Sequence, residues 1–305
     1  MVEQLLDGDC RALGQIGRCP QLQSLKLQCW RTADHEVVSS MLDHGLGECS
    51  GLTSLHLCGF EHGWKTERLT DWVSRCTRLT SLILQRNEIG EEGCASLAEG
   101  IMRCSSLQCL DLRLNKIGPG GARKLAHAVS FCSQLQSFNI DGNNIGNPGL
   151  VDLVMALLGC ASLTSLSLSK NKIGSVGAKV LADGLGRWKH IVSLNMGYNC
   201  SSDGGAMFLA RSLVECQALT RLELERNDIG ALGAKELAKV FENCKLLSHV
   251  NLTGNKLGSE GGGYIADVLG SCDSLTALYL GDNSIGSDVK KRLALAPNLK
   301  HLFYY

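Results

Sequence analysis

A unit of 28 residues recurs along most of the chain, and this recurrence restricts the fold more than any other feature. In the copy from Leu163 to His190, Leu166 and Leu168 alternate with serines, which is the period of a half-buried strand. Apolar residues then recur at spacings of three and four, as on one face of a helix: Ala178, Leu181, Ala182 and Leu185. Asn171 and Gly174 mark a turn between the two halves. Each unit therefore predicts one strand, one turn and one helix.

The copies follow one another without a linker, which predicts a single domain over residues 1–305. Their first positions hold Leu79, Leu107, Leu135, Leu163, Ile191, Leu219, Leu247 and Leu275. Looser copies begin at Leu22 and Leu52, and a last strand begins at Leu299. We divide the domain into an N-terminal half-repeat cap at 1–21, ten repeats at 22–298 and a terminal strand at 299–305.

The run L-x-x-L-x-L-x-x-N, followed by I-G-x-x-G-A-x-x-L-A, resembles the ribonuclease-inhibitor type of leucine-rich repeat. This type also occurs in NOD-like receptors and in Ran GTPase-activating proteins, and the resemblance covers nearly the whole chain. It implies an α/β solenoid, a curved horseshoe with a parallel β-sheet on the concave face and helices on the convex face. The curvature also follows from spacing, because parallel strands lie about 4.8 Å apart whereas packed helices need about 9 Å.

Composition excludes several classes of partner. The formal net charge is +0, so no overall basic field attracts nucleic acid. No run of eighteen apolar residues is present, and the start has no basic segment followed by an apolar core. We therefore predict a cytoplasmic protein that binds neither nucleic acid nor membrane.

The cysteines are placed by the repeat. Nine of the fifteen stand three residues before a first position: Cys19, Cys49, Cys76, Cys104, Cys132, Cys160, Cys216, Cys244 and Cys272. At the end of each helix, on its inward side, a cysteine acts as a small buried hydrophobe, and a reducing compartment keeps it a thiol. No C-x-x-C pair occurs and the histidines are scattered, so we predict neither a metal site nor a cofactor.

The asparagines recur as well, one in each regular unit from Asn87 to Asn283. Their side chains have both donor and acceptor groups, which suits the backbone of stacked turns. The first two units depart from this pattern, with Trp30 and Phe60 at the asparagine position and irregular loops at 31–36 and 61–67. Terminal repeats are usually atypical, and a functional loop is the alternative interpretation.

The variable residues between the leucines line the inner face of the predicted sheet and carry the functional prediction. The candidate protein-binding residues form two charged groups and one aromatic group: Arg86, Asp111, Arg113 and Asp141; Lys170, Tyr198, Arg221, Glu223, Glu225 and Arg226; Tyr279, Phe303 and Tyr305. Aromatic residues and arginine are enriched at interfaces. The alternatives are a solvated face with weak ion pairs for the charged groups and a shield over the last strand for the aromatic group.

No nucleophile, base and orienting group can be assembled from the sequence, so we predict a non-enzymatic module that binds a protein on its concave face. Resemblance to NOD-like receptors implies a sensing or regulatory role. Resemblance to Ran GTPase-activating proteins implies an alternative in which Arg31 acts on a GTPase, although the acidic tail of that family is missing. A cytoskeletal or flagellar scaffold is a third hypothesis. We also expect association through the edge of the uncapped terminal strand.

Overall fold

The computed structural model describes residues 2–5, 21–28, 51–60 and 67–304. The chain packs as two compact units. Unit 1 comprises Met1–Ile145 and Met155–Ser162, and unit 2 comprises Gly146–Val154 and Leu163–Tyr305.

In unit 1 the described strands form a parallel sheet in the order of the sequence. They are β1 (Val2–Leu5), β2 (Ser24–Gln28), β3 (Ser54–Cys58), β4 (Ser81–Ile83), β5 (Cys109–Asp111) and β6 (Ser137–Asn139). The helices are α1 (Glu67–Arg75), α2 (Gly90–Ile101) and α3 (Gly118–Val129). Helix α4 (Gly146–Leu157) begins in unit 2 and ends in unit 1. Strand β1 was not predicted, because the sequence of the cap indicated only the second half of a helix.

Unit 2 repeats the same arrangement. Its described strands, again parallel and in sequence order, are β7 (Ser165–Ser167), β8 (Ser193–Asn195), β9 (Arg221–Glu223), β10 (His249–Asn251), β11 (Ala277–Tyr279) and β12 (His301–Phe303). Its helices are α5 (Ser175–Leu185), α6 (Ser202–Leu213), α7 (Ala231–Asn243), α8 (Gly258–Val268) and the short α9 (Ser287–Leu293), and a 3₁₀ turn at Leu269–Ser271 follows α8. Within the described residues β12 pairs with β11 alone, and association through its other edge stays a prediction.

The leucine pattern builds the core of each unit as predicted. In strands β7 and β8 the central residue, Leu166 or Leu194, is buried, while its two neighbours keep partial exposure. On α5, the apolar positions Ala178, Leu181 and Leu185 are buried as well. Each strand therefore turns one face to the helices and leaves the other face open, which confirms the predicted alternation of strand and helix.

The recurring asparagines connect neighbouring turns. In unit 1 the backbone N–H of Asn87 donates to Oδ1 of Asn115, and the N–H of Asn115 donates to Oδ1 of Asn143, each at 2.8 Å. In unit 2 Asn227 donates to Asn255 in the same way at 2.9 Å. All five side chains are buried. Their role is thus structural, as the sequence indicated, because they satisfy backbone groups that water does not reach.

The helix-end cysteines are buried thiols wherever the structure describes them, while Cys19 and Cys49 lie outside the described residues. The thiol of Cys104 points at the carbonyl oxygens of Val73 and Cys76, at 3.7 and 3.6 Å. Burial raises the pKa of Cys132 to about 12, with the neighbouring cysteines adding to the shift. These groups are therefore neutral packing elements at physiological pH.

In one repeat of unit 2, two framework residues are replaced, and the neighbouring residues accommodate each replacement. Trp188, in place of the helix-end cysteine, is fully buried and lies against Gly184, where an added Cβ would approach the indole at 3.0 Å. Ser201, in place of the isoleucine of other copies, is also buried, and its hydroxyl donates to Oδ1 of Asn227 at 2.8 Å. The larger ring has room because of a glycine, and the buried hydroxyl has a partner.

At the start of each helix from α2 to α9, either the first helical residue or the residue before it adopts one of two conformations. In the first, φ is positive and the N–H donates to the backbone carbonyl oxygen of the asparagine in the next repeat, as from Gly258 to Asn283 at 3.0 Å. In the second, the backbone is extended and the N–H bonds to a side chain of the preceding repeat, as from Gly230 to Oδ1 of Asp203 at 2.7 Å. The extended form occurs at Gly174, Gly230 and Gly286, which bond to Asn147, Asp203 and Ser259. A short polar residue in one helix therefore caps the next helix along unit 2.

Candidate functional site

The open face of each sheet carries the variable residues predicted to bind a partner. In unit 1, Asp111 at the end of β5 is 5% exposed and is bound by its neighbour Arg113. Nε of Arg113 donates to both carboxylate oxygens of Asp111, at 3.0 and 2.9 Å, and an NH2 group completes a two-pronged ion pair. These hydrogen bonds raise the pKa of Arg113 further, and Asp141 contributes to the rise. The Asp111 carboxylate is thus paired with Arg113, while part of the Arg113 side chain stays exposed to solvent.

Arg86 and Asp141 complete the unit 1 group less directly. The backbone N–H of Arg86 donates to the carbonyl of Arg113 at 3.0 Å, which fixes the turn that presents its exposed side chain. The backbone N–H of Asp141 donates to Oδ1 of Asn139 at 3.0 Å. The predicted patch therefore contains one firm ion pair flanked by an exposed arginine and a half-buried carboxylate.

In unit 2 the open face has a continuous network from β9 to β12. Glu223, 7% exposed, receives NH2 of Arg221 at 2.5 Å and Nε2 of His249 at 3.0 Å. The ring of His249 lies 5.0 Å from that of Tyr279, and Tyr279 stacks on Phe303 at 4.9 Å with the planes 6° apart. The charged group and the aromatic group, predicted as separate places, are joined through His249. Tyr305, the third aromatic residue, lies outside the described residues.

His249 is a candidate site residue that sequence reasoning omitted. Burial lowers the pKa of its imidazole, while the Glu223 carboxylate opposes this shift and Arg221 adds to it. The neutral ring therefore donates from Nε2 to Glu223 and keeps its face for Tyr279. Its position two residues after Leu247 placed it on the inner face, but nothing in the spacing showed that it bridges two groups.

The second cluster of unit 2 centres on Tyr198, which is 44% exposed. Nζ of Lys170 lies 4.7 Å from the centre of its ring, and Cζ of Arg226 lies 5.6 Å from the same centre. Arg226 and Tyr198, which the sequence placed in one group, are in contact, and Lys170 of the same group adds a second cation. Arg226 also forms an ion pair with Asp282 at 3.9 Å. Asp282 occupies the equivalent position of a later repeat but is not among the predicted site residues.

Two glycines make room for this cluster. An added Cβ at Gly254 would come within 2.7 Å of Cγ of Arg226, so the stem of the arginine lies across the bare backbone of the next repeat. An added Cβ at Gly197 would meet the carboxylate of Glu225 at 2.1 Å. Glu225 therefore lies across Gly197, and its Oε2 accepts from Nδ2 of Asn251 at 3.3 Å. The absence of a side chain at Gly254 and Gly197 therefore determines where Arg226 and Glu225 lie.

Lys170, Tyr198, Arg226 and Asp282 share one backbone feature. Each has a positive φ, between 51 and 56°, in the turn that follows a strand. The N–H of Tyr198 bonds to the carbonyl of Glu225 at 2.6 Å, and that of Arg226 bonds to Thr253 at 2.8 Å. Non-glycine residues adopt a positive φ at a cost in conformational energy. The hydrogen bonds between repeats therefore stabilise a backbone conformation that these residues would not adopt by themselves. We call Lys170, Tyr198, Arg226 and Asp282 the turn column.

The described residues contain neither a candidate metal-binding group nor a helix that could span a membrane. No group of three or more His, Cys, Asp or Glu side chains is arranged to hold a metal ion. No helix in the described ranges is both long and apolar enough to cross a membrane. Arg31, the residue of the GTPase-activating alternative, lies outside the described residues.

The repeat pattern is matched by a known family. A profile described as Leucine Rich repeat matches residues 75–98, 103–126, 131–154, 159–182, 215–238 and 243–266. These six stretches, all within residues 75–266, are leucine-rich repeats. The leucine-rich repeat that the profile passes over, between 182 and 215, is the one in which Trp188 and Ser201 replace framework residues.

Comparison with known proteins adds a distant structural relative. An internalin (inlF) from Listeria monocytogenes has 18% sequence identity and a TM-score of 0.46. The similarity covers 97% of this chain and 93% of that chain. No curated protein matches this leucine-rich-repeat chain.

Proposed function

We propose that this leucine-rich-repeat chain is a non-enzymatic module that binds a protein partner on the open face of the unit 2 sheet. The observation that carries the proposal is the network from Arg221 through Glu223 and His249 to Tyr279 and Phe303. Phe303 is 47% exposed and yet stacks on Tyr279, so a large apolar surface is already ordered. An ordered aromatic group supplies binding energy at low entropic cost.

The unit 1 group supports the same proposal more weakly. Arg113 presents the outer side of an ion pair whose acid is buried, so its guanidinium is held in place for a second contact. Arg86 stands beside it in the preceding repeat. We propose that these residues form a secondary binding surface on unit 1 and that binding energy is concentrated in unit 2, as is usual for a few residues of an interface.

A sensing or regulatory role, of the kind that the resemblance to NOD-like receptors implies, is the form of this function that we favour. It needs only the binding surface described above. The cytosol is the compartment that we propose, because the buried thiols at the helix ends are packed as thiols and not as disulfides.

A binding experiment with matched variants tests the proposal. The full chain is used to capture partners from a cell extract, and each candidate partner is then purified and its affinity measured directly. Phe303→Ala is compared with Phe131→Ala, another exposed phenylalanine, which follows helix α3. Arg226→Ala is compared with Arg211→Ala on helix α6.

The open-face variants are expected to cost about 2 kcal/mol or more in binding, with urea unfolding unchanged. The helix-side controls are expected to bind like the parent chain. A partner whose affinity falls with Phe131→Ala and Arg211→Ala, but not with Phe303→Ala and Arg226→Ala, would place the interface on the other face of the repeats and refute the proposal.

A further inference from the structure

The turn column carries an inference about the chemistry of the partner, and this inference rests on the function proposed above. Two cations, Lys170 and Arg226, approach one tyrosine ring from neighbouring repeats. Both side chains are exposed, and both contact that ring. The surface therefore presents two positive charges beside one exposed aromatic ring.

The ion pairing of these two cations within the described residues is weak. No acidic side chain in the described ranges forms an ion pair with Lys170. Arg226 has one ion-pair partner, Asp282, at 3.9 Å, and both members are more than half exposed, so that the pair is long and weak. Glu225, from the strand side of the same turn as Arg226, lies over Gly197 and bonds to Asn251. Like charges held beside one ring repel each other, and an anion between them would relieve that repulsion.

The shape of the site restricts the anion. Arg226 offers a planar fork that suits a carboxylate, Lys170 offers a point charge, and Tyr198 offers an apolar ring beside them. Glu225 stands close by and would repel a second negative charge. The site therefore fits one acidic group next to an apolar side chain better than it fits a run of acids.

We propose that the partner presents to the turn column a short protein segment in which one carboxylate lies between Lys170 and Arg226 and an adjacent apolar side chain lies on Tyr198. The carboxylate belongs to an aspartate or glutamate or to a chain terminus, since the two cations recognise the same group in each. Asp282 moves off Arg226 when the segment binds, because the guanidinium then has a closer acceptor.

A random linear peptide library displayed on phage tests this with the full chain as target. The selected peptides are synthesised and their affinities measured against the parent chain and against Lys170→Glu, Arg226→Glu and Tyr198→Ala. Phe303→Ala and Phe131→Ala are measured alongside them. Lys179→Glu is the matched control, because Lys179 also lies over an aromatic ring, that of Phe208, but on the helix side of unit 2. Urea unfolding of every variant checks that the fold is retained.

The expected result is a set of peptides with one acidic residue beside an apolar one, weakened at least about tenfold by either charge reversal at the site. Replacing the acid of the peptide by its amide is expected to cause a loss of the same order, and Lys179→Glu is expected to change nothing. The chain-terminus source is distinguished by amidating the peptide terminus.

Three outcomes overturn the inference. Peptides that lack an acid but lose affinity in Phe303→Ala would refute the turn-column assignment while leaving the proposed function intact. Peptides sensitive only to Lys179→Glu or Phe131→Ala would refute both. A library that yields no peptide dependent on Lys170 and Arg226 would also refute the assignment of a carboxylate to this site.

Discussion

Oδ1 of Asn199 accepts a hydrogen bond from the backbone N–H of Asn171, the equivalent residue one repeat earlier, at 3.0 Å. The same oxygen accepts from the N–H of Ile173 at 3.0 Å, and Nδ2 of Asn199 donates to the carbonyl oxygens of Leu168 and Met196. Asn199 is 5% exposed, so its amide occupies a site that water does not reach. One side chain thus serves the backbone of two adjacent turns.

Replacing Asn199 by alanine removes these bonds and leaves buried donors and acceptors unpaired. We expect Asn199→Ala to lower the free energy of unfolding by about 1–3 kcal/mol, measured by urea unfolding. Asn195→Ala on strand β8 is the control, because Asn195 is half-buried and bonds to the N–H of Gly197 within its own repeat. An Asn199→Ala chain as stable as the parent would contradict the structural role of the buried asparagines.

The cap between repeats at Asp203 gives a second prediction. Oδ1 of Asp203 accepts from the N–H groups of both Gly230 and Gly233, each at 2.7 Å. We expect Asp203→Ala to lower the free energy of unfolding by about 0.5–2 kcal/mol, because helix α7 loses its N-terminal acceptor. Asp203→Asn keeps Oδ1 and is expected to keep most of the stability. Equal losses in the two variants would show that the negative charge, and not the hydrogen bond, matters.

Thiol reactivity provides a third prediction. Burial raises the pKa of Cys94 and Cys244 to about 12, whereas Cys200 is exposed. We expect iodoacetamide to modify Cys200 rapidly in the native protein and the helix-end cysteines only after denaturation, as mapped by mass spectrometry. In denaturant without reductant, all fifteen cysteines should react. Recovery of disulfide-linked peptides would contradict both the packing and the proposed compartment.

Acidification gives a fourth prediction, through His249. Its pKa in the folded state lies below the ordinary value of 6.5, chiefly because of burial. The neutral ring therefore contributes stability that is present above pH 6.5 and is lost as the pH falls through the lowered folded-state pKa. We expect the parent chain to lose more stability than His249→Gln when urea unfolding is compared at neutral and mildly acidic pH. His127→Gln, at an exposed position of helix α3, is the control for replacing a histidine by glutamine.

The 28-residue recurrence was enough to predict the fold, because a unit that cannot bury its own apolar face must stack on its copies. The sequence alone determined that Leu166 and Leu181 enter one core, that Asn171 belongs to a column and that Cys104 is a buried thiol. Each of these predictions follows from a periodic pattern, and such a pattern can be recognised in the sequence without a structure. The subclass of repeat and the GTPase-activating alternative stay predictions.

The candidate site depended on contacts that no period reveals. Spacing placed Tyr198 beside Arg226, but only the tertiary structure brought Lys170 to the same ring and set Asp282 against Arg226 across a glycine.

The reason is physical. Backbone register fixes which positions are neighbours, whereas long side chains choose among several neighbours according to charge, burial and the space that a glycine leaves. The repeat period alone was enough to predict the framework and the face on which function is expected. The tertiary structure decided that His249 joins the charged and aromatic groups, because its orientation depends on Glu223 on one strand and Tyr279 on another.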